Sequence, residues 1–392
     1  MKVIKQMQRE GISDADVLKE LTVASNDDQH FDSGRIMYSM CNEPTNLAAT
    51  AHAMFLESNL GDPNLYRGTA RMETAVLNML LTLLHGSALP SMGGSVVSGG
   101  SEANITALWM CRNLSNKRAV VLPVTAHYSF ATAADMLDMT LKYVDVDDQY
   151  RAIPKEIESA IDDDTALVVA TAGTTEVGQI DPISVIQRTC VDRGVPLHVD
   201  AAFGGLVFPF LANVGHIVPE FDFNLDGVTS MTVDPHKMGQ ATAPAGALLV
   251  RDPDWFDLIK QDTFYLSADS LHSILGTRCS AGVASAYAMM RHLGVSGYDR
   301  LLQTCMRKTS SLVRLLKKMG FHLAIDPISP VVCVKLDEEA LARRVQRRLA
   351  DEGWLVSRTR HPHGVRVVMM PHIQEDTITA FAAALNNARN AS

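Results

Sequence analysis

The middle of the chain alternates short runs of β-branched and apolar residues with stretches of helical periodicity. Helical patterns separate several of these runs. Such alternation is typical of βαβ units, in which helices connect parallel strands and cover the sheet. We therefore predict an α/β fold with a mainly parallel sheet. The strand-like runs occupy residues 118–124, 165–173, 196–202, 227–234 and 245–252.

The last third of the chain has a different pattern. A long helical region at 281–319 precedes a strand, a helix, a second strand and a closing helix that begins at Glu375. This order predicts a small α+β domain. We therefore divide the chain into an N-terminal arm (1–45), a large α/β domain (46–270) and a C-terminal small domain with its linking helix (271–392).

Composition excludes several classes of function. The 392 residues carry 35 basic and 44 acidic side chains, and the net charge of -9 offers no basic patch for nucleic acid or an anionic membrane. The six cysteines lack the spacing of a disulfide framework or a zinc site. We find neither a membrane-spanning run nor the apolar core of a signal peptide. A cytoplasmic protein that binds a small molecule and no metal is expected.

The segment 231–239, MTVDPHKMG, places Lys237 directly after a buried strand. An isolated lysine is more often a solvated loop residue. An amine at a strand end, however, can lose hydration, become neutral and form a Schiff base with an aldehyde. We interpret Lys237 as a candidate for this chemistry.

Asp200 follows another apolar run, in HVDAA. A lone acid there is more often a turn or capping residue. Beside a pyridine nitrogen, a carboxylate would keep that nitrogen protonated and make the ring an electron sink. The pairing with Lys237 favours this second interpretation.

Two further elements lie at predicted strand ends. The segment 97–104 joins the glycines Gly99 and Gly100 to a helix start near Ser101, and backbone N–H groups at such a helix terminus suit a phosphate. His127 follows the strand 118–124, and its imidazole could cover an aromatic ring, although a lone histidine is more often structural. Open α/β sheets bind ligands at these strand ends. Phosphate, aldehyde and ring nitrogen together indicate pyridoxal 5'-phosphate.

The chain resembles the group II pyridoxal-phosphate-dependent amino acid decarboxylases over nearly its whole length, and within them the archaeal L-tyrosine/L-aspartate decarboxylases. Asp234 stands where many members carry Asn, and sphingosine-phosphate lyases also carry an acid there. The motifs that carry the resemblance are GRIMYSMCNEP, FLESNLGDPNLYRGT, SGGSEAN, TAGTTEVGQID, HVDAAFGG, DPHKMG, LGTR and VRVVMMPH.

The resemblance implies a fold type I transferase-like architecture and a role for each matching residue. Lys237 would bind the cofactor, Asp200 its ring nitrogen, and His127 would stack on the ring. Thr174 would lie near the ring hydroxyl, and Ala202 would leave room at the other ring face. Ser101, Gly99, Gly100 and His236 would hold the phosphate.

The implied reaction is the decarboxylation of L-tyrosine to tyramine, a methanofuran precursor, or of L-aspartate to β-alanine, a coenzyme A precursor. Tyr265 is the candidate proton donor, in a loop over the site. Arg366, and with less support Arg278, would bind the substrate carboxylate. The residues do not distinguish the two substrates, and we favour tyrosine slightly.

Three other functions remain open. A carbon–carbon lyase of the sphingosine-phosphate type would share the cofactor site, and a cysteine desulfurase would need a nucleophile such as Cys279. A non-catalytic binding protein with the same fold is the third, although the presence of Lys237 argues against it. The N-terminal arm and the segment GDPNLYRGT favour a homodimer, because in this fold family they tend to contribute to a neighbour's site.

Overall fold

The computed structural model describes residues 5–86 and 92–391 of the chain. Residues 1–4 of the predicted arm lie outside the described residues. The helices are α1 (Asp14–Asn26), α2 (Asn46–Met54), α3 (Arg67–Leu83), α4 (Gly100–Ser115), α5 (Ser129–Leu137), α6 (Pro154–Ala160), α7 (Ile183–Arg193), α8 (Phe208–Asn213), α9 (Ser280–Lys318), α10 (Glu339–Asp351) and α11 (Glu375–Asn390). The strands are β1 (Gly93–Val97), β2 (Ala119–Pro123), β3 (Thr140–Val144), β4 (Thr165–Thr171), β5 (Leu197–Asp200), β6 (Val228–Val233), β7 (Gly246–Val250), β8 (Gln261–Asp262), β9 (Ser270–Leu271), β10 (Val331–Lys335), β11 (Ser357–Arg360) and β12 (His363–Val368).

A large sheet of seven strands, counted over the described residues, has the order β1-β7-β6-β5-β4-β2-β3. Strands β3, β2, β4, β5 and β6 run parallel to one another, whereas β7 runs antiparallel to both β6 and β1. Every residue of β4 is buried, as expected for a strand with helices on both faces of its sheet. The mainly parallel α/β architecture is therefore confirmed.

A small antiparallel sheet, β10-β12-β11, lies near the C-terminus of the described chain. It packs with α10 and α11 around a separate apolar core that includes Trp354 and Phe381. The large sheet and this small sheet fall within the two predicted domains. Helix α9 contacts α2 and α3 as well as α11, so it joins both parts. The boundary at residue 270 stays a prediction.

Helix α9 bends at Gly294, where φ is 56° and ψ is -176°. A side chain disfavours this left-handed backbone, so glycine permits the bend. Side chains on both sides of the bend, such as Met290 and Leu302, belong to the apolar core of the large domain. Nearer the end of the helix, Leu312 and Leu316 belong to the core of the small domain.

The N-terminal arm has two distinct halves. Helix α1 has no buried residue, and apolar side chains such as Leu18 and Leu21 are exposed. Residues 36 and 37 instead pair with the chain's own C-terminal domain, where Ile36 bridges Leu355 and Met37 is fully buried. Among the described residues, no helix has the length and apolar character needed to span a membrane.

Phe381 provides a test of the small core. Its ring is fully buried and meets Trp354 edge to face at a centroid distance of 5.5 Å. We expect Phe381→Ala to lower the free energy of unfolding by about 3–5 kcal/mol, because it removes buried apolar surface and leaves a cavity. Urea unfolding followed by circular dichroism measures the change. The matched control is Phe264→Ala, since Phe264 is 95% exposed and should change stability little.

Candidate active site

The parallel register of the central strands brings three polar side chains to one edge of the large sheet. Thr171 at the end of β4 pairs with Asp200 at the end of β5, and Asp200 pairs with Thr232 near the end of β6. All three residues are buried. The first turn of α4 and the segment after β6 close the same edge.

Helix α4 begins where its neighbours leave little room for a side chain. A Cβ on Gly99 would come within 3.0 Å of the His236 ring, and one on Gly100 within 3.0 Å of Asp234 Oδ2. The backbone N–H groups at such a helix start lack partners within the helix and favour an anion.

Lys237 lies on a turn directly after β6, and its backbone N–H donates to Asp234 O at 3.0 Å. Its Nζ lies 3.0 Å from Asp234 Oδ2. Burial alone would lower the pKa of Lys237, but the carboxylates of Asp234 and Asp200 outweigh burial and raise this pKa. The expectation of a neutral amine is therefore wrong for the ligand-free chain, since two acids stabilise the ammonium form.

A cavity of about 360 Å³ opens at this edge. It lies within the usual size range of small-molecule sites. The structure brings most of the predicted site residues together in its wall. These residues are Gly99, Gly100, Ser101, His127, Asp200, Ala202, His236 and Lys237.

Two predicted residues lie directly behind this wall. Thr174 is fully buried, and its hydroxyl accepts a hydrogen bond from the Gln179 N–H at 2.9 Å, while Thr175 lines the cavity instead. Arg366 is 6% exposed and donates to the Thr175 carbonyl at 2.6 Å and the Tyr38 carbonyl at 2.8 Å. Its buried Nε has no hydrogen-bond partner among the described residues.

Two other predicted residues lie away from the cavity of their own chain. Tyr265 is 86% exposed, between strands β8 and β9. Arg278 forms an ion pair with Glu73 of α3 and donates to the Val96 carbonyl of β1 at 2.9 Å. The structure thus connects Arg278 to the packing of α3 against β1.

The cavity also contains residues that sequence reasoning missed or left without a role. Asp234, whose role was open, contacts the lysine. Asn104, the last residue of the motif SGGSEAN, lies one turn into α4 and lines the wall, as does Tyr128, next to His127. The arm, by contrast, was expected to contribute to a binding pocket, and its residue Met40 lines the cavity of its own chain. The available signal was position in the sequence, since Asn104 closes the motif SGGSEAN and Tyr128 directly follows His127.

Several cavity residues fit a polar ligand. Thr171 Oγ1, Glu102 Oε1 and Asp234 Oδ1 are buried without a hydrogen-bond partner among the described residues. Unpaired buried polar atoms are costly and are rare without a ligand or water. These groups suit pyridoxal phosphate. The start of helix α4 can bind its phosphate, the amine of Lys237 can bind its aldehyde, and the buried acid Asp200 can bind its ring nitrogen.

Comparison with known proteins agrees with this geometry. Residues 20–337 match the model of the pyridoxal-dependent decarboxylase conserved domain. The chain belongs to the pyridoxal-dependent decarboxylase family. It is therefore a carboxy-lyase that acts on an amino acid with pyridoxal phosphate as cofactor, and the resemblance found in the sequence motifs is confirmed.

Among this decarboxylase's relatives is a probable L-aspartate decarboxylase of Archaeoglobus fulgidus, 39% identical, with 93% of this chain and 97% of that protein covered. A probable L-tyrosine/L-aspartate decarboxylase of Methanothermobacter thermautotrophicus is 40% identical, with 92% and 98% covered.

Solved structures share the fold of this decarboxylase. The Burkholderia pseudomallei sphingosine-1-phosphate lyase has a TM-score of 0.90 at 23% identity, covering 99% of this chain and 93% of that one. Lactobacillus brevis glutamate decarboxylase has a TM-score of 0.87 at 21% identity, covering 100% and 95%. At these identities the likeness shows the fold alone, and the lyase alternative is less supported than decarboxylation.

A buried histidine behind the cavity makes the stability of the decarboxylase depend on pH. His198 in β5 is fully buried, and its Nδ1 lies 2.8 Å from Ser230 Oγ. Burial lowers the pKa of His198 from 6.5 to about 4, despite the nearby Asp200 carboxylate. The folded state therefore favours the neutral ring.

The unfolded chain binds a proton at His198 that the folded chain excludes between pH 6.5 and about 4. The neutral His198 therefore contributes its full stabilisation above pH 6.5. As pH decreases through this window, we expect this contribution to the free energy of unfolding to fall by about 1.4 kcal/mol per pH unit. Urea titrations at several pH values, with wild type and His198→Gln, measure the slope. His198→Gln should lose this pH-dependent part of the free energy of unfolding, whereas His216→Gln, at an exposed position, should keep it. Equal slopes in wild type and His198→Gln would contradict the assignment.

Proposed function

We propose that this enzyme decarboxylates L-tyrosine, L-aspartate or both, and releases tyramine or β-alanine. The names and the near-complete coverage of its archaeal relatives support these substrates. The observation that carries the proposal is the convergence of Lys237, Asp200 and His127 on one cavity.

Lys237 is proposed to bind the aldehyde carbon of the cofactor, and Asp200 to hold its ring nitrogen in the protonated state. When bound, pyridoxal phosphate supplies an electron sink for the breaking carbon–carbon bond. His127, half-buried in the wall, is proposed to stack on the ring. Burial lowers the pKa of His127, so its neutral form is favoured.

The remaining cofactor contacts are proposals of the same kind. Backbone groups of Gly99, Gly100 and Ser101 at the start of α4 would bind the phosphate, with His236 beside them. The small side chain of Ala202 leaves space in the cavity wall. Thr174 would act from behind the wall, since its side chain does not line the cavity.

Arg366 is our proposed carboxylate-binding residue. Burial lowers the pKa of Arg366 to about 10, so the guanidinium remains a cation at neutral pH. It contacts the Thr175 carbonyl in the cavity wall, and its Nε is available for a further bond. Arg278 is a weaker proposal, because its guanidinium is already paired with Glu73.

Tyr265 remains the proposed proton donor. Because its ring is exposed and away from its own cavity, this role requires either movement of the β8–β9 hairpin or a contribution to the partner subunit's cavity. A hairpin that covers the cavity would also exclude water during the reaction.

We favour L-tyrosine as the substrate. Within the described part of the chain, the cavity wall includes Met40, Tyr128 and Phe203 and no arginine. Apolar and aromatic surface suits a phenol ring, whereas the second carboxylate of aspartate would call for another cation. A place in methanofuran or coenzyme A biosynthesis, in the cytoplasm, follows from these products as part of the proposal.

The direct test measures carbon dioxide release from L-tyrosine and L-aspartate in separate reactions, with the absorbance of the lysine-bound cofactor recorded. We expect wild type to show the band and to release carbon dioxide from at least one substrate. Lys237→Ala should lose the band and fall to the uncatalysed background, because no amine remains to bind the aldehyde. Lys260→Ala, at an exposed lysine, is the matched control and should keep both.

Release from neither amino acid by the cofactor-loaded protein would refute both substrates. Absence of the band in wild type would refute the assignment of Lys237.

We further propose a homodimer. Helix α1 has a row of apolar side chains that no other part of the described chain covers, including Val17, Leu18 and Leu21, which are 42%, 63% and 58% exposed. Amphipathic helices normally bury such a face, and a second copy of the chain would cover it.

Light scattering after size-exclusion chromatography tests the homodimer. Wild type should have twice the chain mass of 42.7 kDa. The double variant Leu18→Lys and Leu21→Lys should raise the dimer dissociation constant at least about tenfold, because burying two ammonium groups is costly. Glu20→Lys, on the same exposed helix, is the charge-matched control. A fully active wild-type monomer would refute the dimer.

A further inference from the structure

A buried amide to which the sequence motifs assign no role lies against the cavity. Asn104 in α4 is 1% exposed. Its Nδ2 lies 3.0 Å from Asp200 Oδ2 and 3.0 Å from Ser129 Oγ. Its Oδ1 lies 2.7 Å from Thr232 Oγ1 and 3.1 Å from His198 Nε2. All donors and acceptors of the amide are therefore used.

The partners determine which way the amide points. A carboxylate only accepts hydrogen bonds, so the amide NH2 must face Asp200 and the carbonyl must face Thr232. A flipped amide would place two acceptors against each other at Asp200. Asp200 Oδ1 meanwhile accepts from the Ala202 N–H at 3.1 Å. Both carboxylate oxygens of Asp200 are thus held by donors from different elements.

The same amide connects to His127 through Ser129. The Ser129 hydroxyl accepts from Asn104 Nδ2, so its own hydrogen can be donated to His127 Nδ1, 2.9 Å away. The Ser129 backbone N–H, which can only donate, also lies 3.3 Å from this Nδ1. His127 Nδ1 is therefore an acceptor, and the proton of the neutral ring is on Nε2.

We propose that Asn104 is a positioning residue that fixes the orientations of Asp200 and His127 relative to each other. It orients the carboxylate directly and, through Ser129, keeps His127 as the Nε2–H form. The inference rests on the proposed assignment of these two residues to the cofactor. One side chain of α4 thereby couples the group at the ring nitrogen to the group that stacks on the ring.

Histidine nitrogen shifts measured by NMR test the proton assignment without cofactor. In the ligand-free wild type, labelled at histidine and assigned with His127→Gln, we expect Nδ1 of His127 to be unprotonated and Nε2 to be protonated. A His127 protonated on Nδ1 in the wild type would overturn the proposal, whatever the variants do.

The variant Asn104→Leu keeps a similar volume and removes all the hydrogen bonds of the amide. We expect a mixture of His127 tautomers and a rise of about 10- to 100-fold in the dissociation constant for pyridoxal phosphate, as for the loss of a hydrogen bond to a charged group. The absorbance maximum of the bound cofactor should also shift, because Asp200 would no longer be held in place. A folded Asn104→Leu with the wild-type His127 tautomer, dissociation constant and absorbance maximum would refute the proposal.

Two further variants separate positioning from general loss of structure. Thr106→Val removes another buried hydroxyl of α4, whose one hydrogen bond within the described part of the chain is to the Glu102 carbonyl. It should leave cofactor affinity within about twofold. Ser129→Ala cuts the connection to His127 but keeps that to Asp200. It should alter the His127 nitrogen signals while changing the dissociation constant less than about threefold. Equal loss of affinity in Thr106→Val and Asn104→Leu would contradict a positioning role.

Failure of the proposed function can be distinguished from failure of this inference about Asn104. If wild type did not bind pyridoxal phosphate through Lys237, its band would be missing, yet the His127 tautomer in the ligand-free protein would still report on the hydrogen-bond chain.

Discussion

The parallel pairing of β4, β5 and β6 is the constraint on which the site depends. Parallel neighbours end at the same edge of a sheet and lie about 4.8 Å apart, so residues that are distant in sequence become adjacent. Asp200 is thereby placed between Thr171 and Thr232, and the turn that carries Lys237 follows at the next strand end. An antiparallel β5 would put Asp200 at the opposite edge of the sheet.

The ends of these strands bring charged side chains together where little water reaches them. Asp200 and Asp234 are 5% and 1% exposed, and the Lys237 side chain is 22% exposed. With Glu102, also buried in the cavity wall, the acids outnumber the single lysine. Hydrogen bonds from Asn104 and the Ala202 N–H offset part of the cost of burying Asp200. A ligand with a protonated ring nitrogen would offset more, which agrees with the cofactor of the family.

Local sequence was sufficient to predict much of this arrangement. The apolar runs before Asp200 and Lys237 indicated buried strands, and these residues lie where such strands end. The sequence did not indicate strands β1, β3 and β11. The residues of β1, GGSVV, resemble a turn. Strands β3 and β11 are the outermost strands of their sheets and carry exposed polar side chains. Periodicity also did not reveal the hydrogen-bond partners of Asn104, which come from separate elements of the chain.

The sequence by itself determined the α/β class, the order of the main elements and the chemistry at the strand ends, because apolar periodicity and residue type act locally. Only the tertiary structure decided that Asp234 pairs with Lys237, that Arg278 is paired with Glu73, and that Tyr265 lies outside its own cavity. These outcomes depend on distances between side chains from different elements. Such distances arise from packing and strand register, and no local pattern in the chain encodes them.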